Sequence, residues 1–424
     1  MNMKLITAGM IIAVIIASCT AEKPIDKVID ESLAFAAEQY TLMADVMKDK
    51  PGQLPRTFNE KGEFITAGPG WWTSGFFPGS LWYLYENTND QKFRDAATEM
   101  TARIENEKFN KGTHDLGFML FCSFGNGLRI TGEESYKEVL LTGARSLSTR
   151  FRPNIGCIQS WGSRAGWQYP VIIDNMMNLE LLLWAFENSG DSTFYNIAVT
   201  HSDTTIKNHY RADNSSYHVV SYDTITGAVE VKQTHQGAAD ESAWARGQVW
   251  GLYGYTAMYR MTGLDRYLSQ ATKIAEFLIN HPNMPEDMIP YWDFDAPGIP
   301  EAKRDASAAA IMASALIELS RYAESEASAR YLGVAESQIR TLSSPEYRAE
   351  AGENGNFILK HCVGHLPGNS EVDVPLTYAD YYFIEALMRF KNRSWLSSLR
   401  RDIHRQDRRP LLSFQRGSDG LPYC

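Results

Sequence analysis

The chain has 424 residues, 44% of them hydrophobic and 12% aromatic, enough to bury a large core and too apolar for a generally disordered chain. A formal net charge of -10 and a pI near 5.5 leave no basic face for a phosphate backbone, which argues against nucleic acid as a partner. The Trp and Tyr content suits flat sugar faces, although most such residues fill cores.

At the N-terminus Lys4 precedes the apolar run 5–17 and then Ser18-Cys19, too short to span a membrane but right for a signal h-region. Ile16-Ala17-Ser18-Cys19 resembles a bacterial lipobox. In that reading residues 1–19 are a lipoprotein-type signal, Cys19 is lipidated and residues 20–24 form a short tether. The protein is then exported, to the periplasm or the outer membrane of a Gram-negative cell, and meets the membrane only through its lipid. The alternative is ordinary signal cleavage beside an incidental cysteine. Cys122, Cys157, Cys362 and Cys424 show no paired or metal-type spacing, so neither a disulfide framework nor a zinc site is expected.

Helical periodicity begins at residue 25 and ends near residue 391, and within it one joint recurs. It reads Asn89-Asp90 with Phe93, Gly132-Glu133 with Tyr136, Gly190-Asp191 with Phe194, and Gly263 with Asp265 and Tyr267. Gly or Asn supplies a left-handed C-terminal cap, the acidic residue after it can cap the next helix, and the aromatic packs back on the joint. Segments before each joint (76–85, 116–128, 176–186, 249–259) are apolar nearly all round, as buried helices are, whereas those after it (93–104, 136–147, 267–278) carry one apolar stripe, as surface helices do. With 25–47, 306–319, 327–342 and 376–390 the pattern predicts about twelve helices in six pairs. The count predicts an all-α (α/α)6 barrel, with an open helical solenoid as the alternative. The stretches 153–170, 208–240 and 282–303 are too long for simple connectors, as functional loops often are. Residues 392–424 form a basic tail without periodicity, to which no function is assigned.

Inner helices of such a ring run the same way, so the loops entering their N-termini gather at one rim. There stand Asp115, Asp174, Asp240, Asp305 and Asp373, each of which could be a plain helix N-cap. Asp174 follows Val171-Ile172-Ile173, an apolar run that would desolvate its carboxyl and raise its pKa toward general-acid use. Asp115 follows His114 and stands just before Gly117, which could let a ligand approach closely. A second carboxylate nearby would help keep one of the pair protonated.

Trp72-Thr73-Ser74-Gly75-Phe76 with Gly79, His114-Asp115-Leu116-Gly117-Phe118, Asp174-Asn175-Met176-Met177-Asn178, and Thr234-His235-Gln236-Gly237 with Trp244-Ala245-Arg246-Gly247-Gln248 occur in this order. Together they resemble the unsaturated glucuronyl hydrolases of glycoside hydrolase family 88, over about residues 25–391. The resemblance implies an (α/α)6 barrel and removal of the 4,5-unsaturated uronic acid that lyases leave at the non-reducing end of glycosaminoglycan fragments. It implies Asp174 as acid and base and Asp115 as the essential second carboxylate, in a hydration of the C4=C5 vinyl ether that needs no metal or organic cofactor. Trp72 and Phe76 resemble the residues bordering the unsaturated ring, and His218, Thr234, Gln236, Arg246 and Trp250 its polar and stacking contacts. Arg246 is the candidate for the uronate carboxylate, unless it only pairs with Asp240 or Glu241. By itself, His218 would read as structural.

The stretch Gly364-His365-Leu366-Pro367-Gly368-Asn369-Ser370 lies where the family contacts a sulfated aglycone, without a Lys or Arg cluster to receive sulfate. Two other readings stand beside this one: an unsaturated rhamnogalacturonyl hydrolase acting on pectin fragments, and a non-catalytic glycan-binding lipoprotein. Nothing in the sequence points to an obligate protein partner.

Overall fold

The computed structural model describes residues 22–59, 61–164 and 166–393. The signal segment with Cys19 and all but the first two residues of the basic tail lie outside the described residues.

Outer and inner helices alternate along the chain. The first three pairs are outer α1 (Ile25–Lys48) with inner α2 (Phe76–Thr88), outer α3 (Gln91–Ala102) with inner α4 (Asn126–Thr131), and outer α5 (Ser135–Ser148) with inner α6 (Leu179–Ser189). The other three are α7 (Ser192–His209) with α8 (Ala245–Thr262), α9 (Asp265–Asn280) with α10 (Ala306–Leu319), and α11 (Ser325–Leu342) with α12 (Thr377–Lys391). Inner α10 is buried along its whole length. Outer α9 buries Tyr267, Ala271, Ile274, Ala275 and Leu278, a single stripe, which is the distinction the two residue patterns predict.

The inner helices neighbour one another in sequence order, and α12 packs back on α2. A buried bond from the Tyr40 hydroxyl on α1 to Asp380 Oδ2 on α12, 3.3 Å, ties the first pair to the last. The barrel is therefore a closed (α/α)6 ring, not an open solenoid.

Each joint ends in a left-handed residue, Asn89 (φ 54°), Gly132 (70°), Gly190 (74°) and Gly263 (66°), a conformation that glycine and asparagine tolerate best. Asp90 and Asp191 then cap α3 and α7 by accepting from the N–H groups of Lys92 and Thr193. At the last joint the acidic residue does not cap: Leu264 holds that position and Asp265 lies in the first turn of α9.

Strands were not expected, yet the rim loops fold into four small antiparallel sheets. They are β1 (Leu54–Phe58) with β2 (Phe64–Ala67), β3 (Phe151–Arg152) with β4 (Cys157–Ile158), the three-stranded β5 (Pro170–Ile172), β6 (Val219–Tyr222) and β7 (Val229–Gln233), and β8 (Cys362–His365) with β9 (Ser370–Val374). Long loops folded back on the barrel must satisfy their backbone N–H and C=O groups. Segments this short carry too little alternation to announce themselves.

Candidate active site at the N-terminal rim

Two inner helices begin irregularly, and the two aspartates stand at those points. Asp115 precedes a π-helical segment, Gly117–Gly125, that runs into α4, and Asp174 lies in the 3-10 turn Ile173–Asn178 that runs into α6. π-turns are uncommon and often sit at functional sites. Here the two starts are locked together: Asn178 Oδ1 accepts the free N–H of Phe118 at 3.0 Å, and a Cβ on Gly117 would stand 2.5 Å from Asn178 Cα. Gly117 thus admits the neighbouring helix start rather than a ligand, and this backbone approach draws the loops of Asp115 and Asp174 onto one wall.

That wall encloses a pocket of about 310 Å³ lined by Asp115, Asp174, Trp72, Gln236 and Arg246, among others. Burial lifts the Asp174 carboxyl to about 7, with the Asp115 carboxylate adding to the rise and the charge of Arg246 opposing it. Its Oδ2 has no hydrogen-bond partner among the described residues. Asp115 is held differently, accepting from the Thr113 hydroxyl at 2.7 Å, with His114 Nε2 3.3 Å from its other oxygen. Burial lowers the pKa of His114, so that imidazole is neutral and orients Asp115 without adding charge.

His218 is better placed than its sequence suggested. β5 and β6 pair Ile172 with Val219, and Ile173 N–H donates to His218 C=O at 3.1 Å, so the sheet fixes His218 beside Asp174. His218 Nδ1 accepts from the N–H groups of both His235 and Gln236, each at 3.1 Å. The ring proton is therefore on Nε2, which points at Asp174 Oδ2 from 3.9 Å. Burial pushes the His218 pKa well below its ordinary value, so it remains a neutral N–H donor. Neither that Nε2 nor Asp174 Oδ2 finds a hydrogen-bond partner.

Arg246 reaches the pocket, but neither sequence-stated neighbour holds it. Its Nη1 bonds Asp305 Oδ2 at 3.1 Å and the Val363 carbonyl, and Nη2 bonds the Gly364 carbonyl at 2.5 Å. Asp240 instead accepts the Thr234 N–H at 2.9 Å, and Glu241 pairs with Arg211. Of the other rim aspartates, Asp240, Asp305 and Asp373, only Asp305 is a helix cap, accepting from Ser307 N–H ahead of α10. Asp373 lies in β9 and binds His361 and Lys303, both at 2.6 Å.

Three expected contact residues stand behind or beside the wall. Phe76 is fully buried and presses edge-on against Trp72, 6.0 Å between centroids. Trp250 is equally buried and packed on Phe118 at 5.1 Å, with its indole N–H turned toward Asp174, whose pKa it lowers. The hydroxyl of Thr234 accepts from Gly237 N–H at 2.8 Å and shapes its loop. Gln236 lines the pocket while donating to the Gly364 carbonyl at 3.0 Å. Sequence reasoning missed Arg56, Trp161, Arg164 and Tyr378 on the wall, whereas Gly364, His365 and Ser370 of the expected stretch 364–370 do line it. The only signal for Trp161 and Arg164 was the excess length of loop 153–170.

A closed ring of six helix pairs with two carboxylates on one pocket wall at its rim is an arrangement that fits a carbohydrate-active enzyme. Residues 39–390 match Glycosyl Hydrolase Family 88, and the chain belongs to that family. It is 47% identical over 342 residues to an unsaturated glucuronyl hydrolase of Formosa agariphila, covering 80% of this chain and 85% of the relative. The crystal structure of an unsaturated glucuronyl hydrolase specific for heparin superposes with a TM-score of 0.85 at 48% identity, over 87% of this chain and 98% of that one. A variant of the Streptococcus agalactiae unsaturated glucuronyl hydrolase, solved in complex with dGlcA-GalNAc6S, gives a TM-score of 0.75 at 27% identity, over 86% and 92%.

Proposed function

We propose that this enzyme removes 4,5-unsaturated uronic acid from the non-reducing end of lyase-generated glycosaminoglycan oligosaccharides. The observation that carries the chemistry is Asp174, a carboxyl lifted to about 7 with one oxygen unpaired, facing a pocket that it shares with Asp115. Such a group is protonated near neutral pH yet can take a proton back, as a combined acid and base must.

Asp174 gives its proton to C4 of the vinyl ether, whose π electrons form the new C4–H bond. The resulting cation, shared by C5 and the ring oxygen, is stabilised by the Asp115 carboxylate. Water adds at C5 and returns its proton to Asp174. The hemiketal then opens to a C5 ketone, leaving at C1 a hemiacetal that releases the aglycone. The neutral Nε2–H of His218, 3.9 Å from Asp174 Oδ2, is one short movement from a hydrogen bond that would orient it. Arg246 offers the uronate carboxylate the N–H groups that Asp305 and the Val363 and Gly364 carbonyls leave untaken.

The test is loss of the ultraviolet absorbance of the conjugated double bond. It is expected with an unsaturated glycosaminoglycan disaccharide. Turnover of only a pectin-derived substrate would move the enzyme to the rhamnogalacturonyl class, and binding without turnover would make it a glycan-binding protein. In heavy-oxygen water the label should enter at C5, whereas label at the aglycone's anomeric carbon would refute hydration.

The lipobox-like Ile16 to Cys19 supports an exported lipoprotein. Cys19→Ala should release the protein from membrane fractions or leave it unprocessed, and unchanged fractionation with unchanged lipid labelling would dismiss the anchor.

A further inference from the structure

Two arginines stand at the mouth of the pocket, and they differ in what occupies them. Arg56 lies over Trp71, 4.2 Å from the ring centroid, and its Nε donates to Glu371 Oε1 at 2.6 Å. Its charge is answered. The Arg164 guanidinium has no hydrogen bond or ion pair with any described residue; the contacts it makes are with aromatic rings, 4.5 Å from the centroid of Trp161 and 4.4 Å from that of Trp167.

The mount is firm although the residue is exposed. Arg164 and Trp167 exchange backbone bonds of 3.0 and 2.9 Å, and the Trp167 indole N–H donates to Gln233 Oε1 at 2.7 Å on β7. Rings against a guanidinium leave its in-plane N–H edge open, the edge that takes an oxyanion bidentately. Trp161 connects this cation to the reacting end of the pocket, meeting His218 edge-on at 5.9 Å and His235 at 5.2 Å.

The ligand follows from position. With C4 of the uronate against Asp174, the carboxylate on C5 is held deep in the pocket near Arg246, so a cation at the mouth faces the next sugar. In a glycosaminoglycan the anionic group on that sugar is a sulfate. We infer that Arg164 receives a sulfate carried by the sugar adjoining the unsaturated uronate, and so sets the enzyme's preference for sulfated substrates; the inference rests on the hydrolase reading above. It also supplies the cationic group that the stretch 364–370 lacks.

The experiment compares two unsaturated disaccharides that differ only by one sulfate on the amino sugar, tried in turn with N-, 6-O- and 3-O-sulfate, against wild type and Arg164→Gln. For at least one sulfated substrate the ratio of its kcat/KM to that of the unsulfated partner should fall roughly tenfold in the variant, the scale of a hydrogen bond to a charged group. The fall should shrink in high salt, since an exposed ion pair is screened. A ratio unaltered for all three sulfates overturns the inference, as does a wild type that turns over none of the sulfated substrates. Failure of the hydrolase reading would look different, with no absorbance loss for any substrate, the unsulfated one included.

Discussion

Both mouths of the barrel are rich in charged and aromatic side chains, but they treat them oppositely. At the C-terminal ends of the inner helices lies the larger cavity, about 490 Å³, lined by Glu180, Arg260, Glu385 and Arg389 among others. Every one of these charges is answered: Arg260 pairs with Glu180 and Glu318, Arg389 with Glu318 at 2.9 Å and Glu385 at 3.4 Å, and Glu385 accepts from the hydroxyls of Tyr83 and Tyr253 at 2.9 and 3.1 Å. At the other mouth Asp174 Oδ2 and His218 Nε2 are buried without a hydrogen bond to any described residue. Leaving a buried polar atom unpaired costs about 1–3 kcal/mol. A satisfied network holds the barrel together, whereas unsatisfied groups gathered at one pocket beside a raised carboxyl mark where a substrate belongs, whichever cavity is larger.

The comparison can be broken most sharply by removing the proton. Asp174→Asn keeps shape and most hydrogen bonding, so turnover should fall by at least the roughly 10²- to 10⁴-fold that general acid catalysis supplies, and Asp115→Asn by a comparable factor. Both should still bind substrate by calorimetry; an active Asp174→Asn enzyme would end the assignment.

Next in size is the opposite mouth. Arg260→Ala strands Glu180 in the interior and leaves Glu318 with Arg389 alone, and should lower unfolding free energy by about 3–5 kcal/mol. Turnover per folded molecule should stay at the wild-type value when assayed well below the melting transition. A selective loss of kcat there would erase the distinction between the mouths.

The smallest effect sharpens it. A carboxyl raised from 3.8 to about 7 on folding means that the folded state binds its proton more tightly, so stability is lost as pH rises from about 4 through 7. Asp174→Asn should therefore be more stable than wild type at pH 8 and little different at pH 4. Equal denaturant midpoints at pH 8 would show that the carboxyl is not strained in the native site.

Much of this was legible in the residue order, for identifiable reasons. The helix joints were readable because a left-handed cap needs Gly or Asn, and inner helices because they are apolar all round. Asp174 stood out because the run Val171-Ile172-Ile173 that desolvates it is adjacent in sequence. What stayed hidden depends on contacts far apart in the chain. Asp305 answers Arg246 from the next inner helix, and β6 carries His218 to Asp174 through three paired residues too short to read as a strand. Phe76 lies within the matching stretches yet only buttresses the wall, since residues that support a site recur as faithfully as those that touch its ligand. Arg164 escaped notice because its indole mounts lie in a loop whose only signal was its length.

The closure of the ring also says something about how the chain must fold. α2 cannot bury its last face, nor Tyr40 on α1 meet Asp380, until α12 has been made and has swung back to them. The pocket wall likewise waits for Tyr378 near the start of α12. Through most of synthesis the chain is an open arc with the apolar flank of its first pair exposed, a long-lived invitation to wrong partners. Folding to an active state is thus a late, single event rather than a helix-by-helix accumulation, and a chain cut short before α12 should aggregate instead of retaining partial activity.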